Sequence, residues 1–348
     1  VRLLAVALAA VALVGSVPLR RTARTGPAIF HGTLVDPSSW TFYASMTHRD
    51  QADKARRSIF CGAAVVAPTT VLTASHCAEG EGANLAVAVG TGLNPHVGGE
   101  VIGVRRVVLA PDADPATFSH DVAVLELDHA VPSSVAPVPV ATPADDATLL
   151  AGGDRVEVAG VGQTDNVDPS TVAATELRSA AMEVTPASSC KVEIENGSRA
   201  VMNDDEFCTN GVPGTDRHTD DVGDPCYGDS GGPIVSRRGG APVLVGLVST
   251  GTAQCATGSD IQPRLSAFAT FLKPYLPDPP AHAATHAPDP PAAAPRARSS
   301  VTSGRAGHTV WSTAWVLFAA LVLAAALAAR LVFGYRHRRR GSGPSEPS

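Results

Sequence analysis

Between residues 29 and 276 the chain is cut into short runs rich in Val, Leu and Ala, each stopped by Gly, Pro or Asp. The clearest runs are 63–66, 85–89, 101–109, 122–127, 156–161 and 243–249. Runs this short suit strands, and no long helical pattern alternates with them. A parallel βαβ sheet is therefore excluded, and an all-β barrel or sandwich is expected. One helix is predicted over 264–275, where Leu265, Phe268, Leu272 and Tyr275 recur along one face. The Pro- and Ala-rich stretch 131–143 reads as a crossing between two halves, and no internal repeat is visible.

The ends of the chain have a different character. Arg2 precedes an apolar run over 3–14, followed by the small residues Gly15 and Ser16, which predicts a signal peptide over 1–16. A propeptide over 17–28 would follow it. Residues 310–329 are apolar, with Trp311 and Trp315 at one edge, so a transmembrane helix is predicted over 310–333. Arg336, His337, Arg338, Arg339 and Arg340 come next. By the positive-inside rule the tail 334–348 is cytoplasmic and the folded part extracellular, which places the protein at the cell membrane with a single pass. Residues 277–309 are rich in Pro and Ala and read as an extended stalk.

Charge and cysteine usage narrow the function. A net charge of −6 over 348 residues argues against a nucleic-acid partner. Six cysteines in an exported chain imply a disulfide framework whose pairing the sequence leaves open. There is no Cys-x-x-Cys pair, so neither a zinc cluster nor a redox motif is expected. Scarce lysine with abundant Ala, Pro and Gly suggests a GC-rich, actinobacterial genome.

Two motifs carry chemistry. Leu72-Thr73-Ala74-Ser75-His76-Cys77 offers an imidazole, and Asp224-Pro225-Cys226-Tyr227-Gly228-Asp229-Ser230-Gly231-Gly232-Pro233 offers a hydroxyl in a glycine-rich turn. A serine hydroxyl is a weak nucleophile near neutral pH and needs an adjacent base; an imidazole takes such a proton and returns it. Asp121 stands at the head of an apolar run, where a carboxylate needs a reason to be, and could orient that imidazole.

In this order the motifs resemble those of the chymotrypsin-type, trypsin-like serine proteases. The resemblance covers 29–276 and implies two six-stranded antiparallel β-barrels with a C-terminal helix and the active site in the cleft between them. It implies a triad of His76, Asp121 and Ser230, with the N–H groups of Gly228 and Ser230 as the oxyanion hole. It pairs the cysteines as Cys61–Cys77, Cys190–Cys208 and Cys226–Cys255. Ser249 would hydrogen-bond the triad aspartate. Asp224 would form the base of the specificity pocket and Gly251 would keep one wall open, so cleavage after Arg or Lys is expected. Two departures stand out: Thr250 replaces a usual Trp, and Asp260 stands where a second pocket glycine is usual. Ile29 resembles the new N-terminus of an activated member and would pair with Asp229, although the residue before it is Ala28. No cofactor or metal is expected; the partners would be protein or peptide substrates, and the membrane through 310–333. The alternative from another class is a catalytically silent binding module on the same scaffold.

Overall fold

The computed structural model describes residues 29–277, apart from 91, 164–174, 191, 195–196, 200–201, 213–221 and 238–239. The signal peptide, propeptide, transmembrane helix and tail expected from the sequence lie outside the described residues, as does the stalk beyond residue 277. Among the described residues no helix is long and apolar enough to cross a membrane.

The short apolar runs form strands, and all pairings between the strands are antiparallel. After β1 (Thr33–Leu34), the first lobe holds β2 (Tyr43–His48), β3 (Cys61–Ala67), β4 (Thr70–Thr73), β5 (Leu85–Val89), β6 (Glu100–Leu109) and β7 (Ala123–Leu127). These six close a barrel in the order β2-β3-β4-β7-β6-β5. The seven residues of β3 and the five of β5 are all buried, so these strands cannot show the alternation of a half-solvated sheet. Inside lie Val65, Leu72, Val87, Ile102 and Leu125, all without solvent exposure.

The second lobe differs from expectation. Its strands are β8 (Arg155–Gly160), β9 (Arg178–Thr185), β12 (Glu206–Gly211), β13 (Pro233–Ser236), β14 (Val243–Leu247) and β15 (Asp260–Pro263), beside a separate hairpin of β10 (Val192–Ile194) and β11 (Gly197–Arg199). They run in the order β14-β13-β8-β9-β12-β15, with β1 added against β9. This is a curled half-barrel and not a second closed barrel. Its outer strands meet through isolated bridges, Gly246 with Arg264 and, just past the end of β14, Thr250 with Ile261, and not through a continuous ladder. Strand β15 has only four residues and ends in Pro263, which has no N–H to donate, so a full ladder cannot form across that seam. Ile29, Val158, Met182, Ile234 and Val245 fill this lobe without solvent exposure.

The crossing at 131–143 is a strap bonded to both lobes. Val138 donates its N–H to Val65 O at 2.9 Å, and Ala141 donates to Leu244 O at 2.9 Å. The C-terminal helix is shorter than the periodicity predicts: a 3-10 turn at Leu265–Phe268 runs into one α-helical turn at Ala269–Leu272. Pro274 cannot donate to the next rung, which limits its length. Leu265, Phe268 and Leu272 are buried against the main core.

Three disulfides are present, Cys61–Cys77, Cys190–Cys208 and Cys226–Cys255, in agreement with the pairing that the resemblance implied. The first and third brace the site directly. Cys77 lies in α1 (Ser75–Ala78) beside His76, and Cys226 opens the turn that carries Ser230.

Candidate active site

Strands β4 and β7 are neighbours, with Thr73 opposite Ala123. Just past the end of β4 the chain turns into α1, which carries His76; just before β7 comes Asp121. The register therefore sets imidazole and carboxylate side by side. His76 Nδ1 lies 2.7 Å from Asp121 Oδ2, and the His76 backbone N–H donates to Asp121 Oδ1 at 3.0 Å. Ser75 Oγ donates to Oδ1 at 2.7 Å and Ser249 Oγ to Oδ2 at 2.6 Å. Asp121 is 1% exposed. Burial alone would raise its pKa. The hydrogen bond and charge of His76, with the Ser249 hydroxyl, outweigh that and hold it below the ordinary carboxylate range. With Nδ1 on the carboxylate, Nε2 is turned away from it and lies 3.6 Å from Cys77 Sγ.

Ser230 comes from the other lobe, in the turn before β13. Its carbonyl accepts the Gly62 N–H of β3 at 2.8 Å, so the turn is bonded across the lobe boundary. Gly231 has φ +75°, and a Cβ there would overlap Thr73 Oγ1 and the Gly62 carbonyl, so a side chain is excluded by both conformation and space. Gly228 has φ +92°. Among the described residues, no backbone or side-chain acceptor takes the N–H of Gly228 or of Ser230. His76 and Ser230 line one cavity of about 430 Å³, together with Phe118, Tyr227, Gly251 and Asp260. A larger cavity of about 1070 Å³, bordered by Ser188, Asn210 and Gln254, contains neither.

The acids of the second lobe occupy distinct levels. Asp260 lines the cavity of Ser230, and a Cβ on Gly251 would overlap its Oδ1. Asp224 is not among the cavity's lining residues; it is 1% exposed, and its Oδ2 accepts the Ala256 N–H at 3.0 Å. Burial raises both carboxyls above their ordinary range, and the charge of Asp224 raises Asp260 further. Asp229 is fully buried and accepts the N–H groups of Gly162 at 2.6 Å and Cys226 at 2.9 Å. Burial still pushes its pKa up to about 7. Ile29 is fully buried in the core of the same lobe, and the chain continues before it, so its nitrogen is an amide here.

Several contributors carry no motif of their own. Phe118 packs edge-on against the His76 ring with centroids 5.0 Å apart, from a backbone with φ +58° that a bulky side chain seldom adopts. The Tyr227 hydroxyl donates to Ala253 O at 3.0 Å across the cavity mouth. Ser75 stands inside the histidine motif, and its role was open to inference from that neighbour alone. Cys61, His76 and Cys77 place ligand-type atoms within 4.8 Å of one another, but both sulfurs are bound in the disulfide, which leaves no metal-binding set there.

The curled all-β lobes and this site define a serine-protease type of scaffold. The chain belongs to the trypsin family: residues 29–272 match the family described as Trypsin. It is similar to Trypsin 5G1 of Aedes aegypti, 33% identical over 56% of this chain and 66% of that protein, so it spans just under two thirds of that relative. It is likewise similar to Glucanase inhibitor protein 3 of Phytophthora infestans, 33% identical over 57% of this chain and 70% of that one. Serine protease 28 of Mus musculus is 27% identical over 68% of this chain and 84% of its own length.

Proposed function

We propose that the protein is a serine endopeptidase that cleaves peptide bonds after basic residues through an acyl-enzyme. The observation that carries this reading is the four-bonded Asp121 carboxylate, which holds His76 by Nδ1 beside the cavity shared with Ser230. His76 Nε2 takes the Ser230 proton as Oγ attacks the scissile carbonyl, then returns it to the leaving amine. The N–H groups of Gly228 and Ser230 receive the developing oxyanion; losing one such donor costs about 3 kcal/mol. Asp260, which lines the cavity, with the buried Asp224 beyond the lining, favours a cationic side chain. On the sequence alone the proposal extends to an ectodomain tethered through 310–333, with activation by release of the Ile29 amino group toward Asp229.

The test is hydrolysis of fluorogenic peptides by the full chain. Ser230→Ala is expected to lower kcat by about 10⁵-fold or more while leaving the thermal melt unchanged. Undiminished hydrolysis by that variant removes Ser230 from the mechanism. The likeness to a glucanase inhibitor protein favours a second reading, a silent binding module on the same scaffold. An organophosphonate that labels only an activated serine separates the two: a wild-type chain that stays unlabelled after processing to Ile29 favours the silent module.

A further inference from the structure

Four facts about the inner end of the cavity bear on one another. Asp260 is the acid that lines the space leading from Ser230, with its Oδ1 beside Gly251. Asp224 lies behind it with Oδ2 already occupied by the Ala256 N–H. Each acid also has one fully buried oxygen without a hydrogen-bond partner, Asp224 Oδ1 and Asp260 Oδ2. The two side chains interact directly, and among the described residues no Lys, Arg or His forms an ion pair with either.

Two buried carboxylates in contact cannot both remain ionised and unpaired, because each charge out of water is costly and the pair repels itself. One proton shared by the pair would give both orphaned oxygens a partner and leave the pair with a single negative charge. Of the remaining oxygens, Asp224 Oδ2 is used by the backbone and Asp260 Oδ1 borders the cavity. A guanidinium binds best by a fork onto both oxygens of one carboxylate, and neither acid offers both. An ammonium is a compact charge that needs only one.

We propose that Asp260, and not Asp224, is the residue that selects the substrate's side chain, and that the two share one proton so that the shortened pocket prefers lysine over arginine. This rests on the peptidase reading above. Asp224 acts as a positioning residue: its Oδ1 holds Asp260 Oδ2 through the shared proton and so keeps Oδ1 turned to the cavity. The third buried acid, Asp229, faces backbone N–H groups and does not enter the pair, although the charge of Asp224 reaches it. From β12, Thr209 stands opposite Asp260 and brings no charge.

The test compares kcat/KM for matched peptides ending in Lys or Arg at the cleaved bond, together with the binding of n-butylamine and benzamidine measured by calorimetry. The wild-type chain is expected to favour Lys, and n-butylamine over benzamidine, by roughly tenfold. Asp260→Asn should lose that preference and weaken n-butylamine binding by tenfold or more. Asp260→Gly should open the space beside Gly251 and turn the preference toward Arg. Asp224→Asn can donate an amide hydrogen where the proton stood, so the Lys/Arg ratio should survive; Asp224→Ala leaves Asp260 Oδ2 orphaned, so the ratio should fall. An unchanged ratio in both Asp260 variants overturns the proposal, as does a ratio lost in Asp224→Asn but kept in Asp260→Asn. Organophosphonate labelling of the wild-type chain tells the two failures apart. A labelled enzyme with indifferent Asp260 variants defeats the inference alone; an unlabelled chain that cleaves nothing defeats the peptidase reading, and amine binding still decides the role of Asp260.

Discussion

Asp121 accepts four hydrogen bonds, and they divide its work. The Ser75 hydroxyl and the His76 N–H occupy Oδ1, while the His76 ring and the Ser249 hydroxyl share Oδ2. Ser249 comes from the second lobe and Ser75 from the first, so the carboxylate is gripped from both sides. A hydrogen bond to a charged group is worth about 1.5–3 kcal/mol. Ser249→Ala should therefore lower kcat by roughly tenfold to a hundredfold with little change in KM, because the aspartate would be less able to steady the imidazolium. A KM effect of equal size would assign Ser249 to substrate binding instead. The motif around His76 could be read because its chemistry is local: Ser75 and the His76 N–H are adjacent in sequence to the imidazole they help to place. The proposed ranking of Asp260 above Asp224 could not, since it rests on Asp260 of β15 lining the cavity beside Gly251.

At the scale of elements, the strands were legible and their closure was not. Val-rich runs at 85–89 and 101–109 need only their own composition to become β5 and β6. The seam between β14 and β15 depends on where Pro263 falls in the register, which no local pattern reveals. The terminal helix shows the same limit. The spacing of Leu265, Phe268 and Leu272 is helical, yet the chain spends its first turn as 3-10 and stops before Pro274. So short a helix cannot be stable by itself and is held by what it buries. Leu272 is fully buried, and Leu272→Ala should destabilise the fold by about 2–5 kcal/mol, read from the urea midpoint. Phe118 and His120, with φ +58° and +51°, follow the Asp114-Pro115 turn, but no glycine marks their left-handed backbone. Local backbone hydrogen bonds and ring contacts both accompany that conformation: Asp114 N–H donates to Ser119 O at 2.9 Å, Phe118 meets the His76 ring, and His120 lies 6.3 Å from the Phe268 ring.

At the scale of the whole molecule, three buried acids among the described residues tie stability to pH above the acid range. Asp224, Asp229 and Asp260 all titrate above their ordinary range, chiefly through burial, and Asp229 is pushed up to about 7. A raised carboxyl binds more protons folded than unfolded, so its contribution is complete below the unfolded value near 4 and is lost as pH rises through the folded one. Asp121 and Asp128 lie lower than usual and act in the opposite sense, losing their contribution as the solution becomes strongly acidic. The chain with residues attached before Ile29 should therefore be most stable near pH 4–5, with a urea midpoint that falls toward pH 8. A chain beginning at Ile29 would bring a cation to Asp229, and its midpoint should fall less. Equal slopes for the two forms would remove Asp229 as the receiver of that amino group.

The hydrogen bond from Gly62 to the Ser230 carbonyl ties the backbone of Ser230 to the opposite half of the protein. On the peptidase reading, neither half alone holds the proposed centre. On that reading, any event that prises them apart, even by a few ångströms and without unfolding either, would silence the hydroxyl, and re-docking would restore it. Turnover would then be a gauge of assembly, and partial separation under mild denaturant should extinguish it before either β-sheet melts.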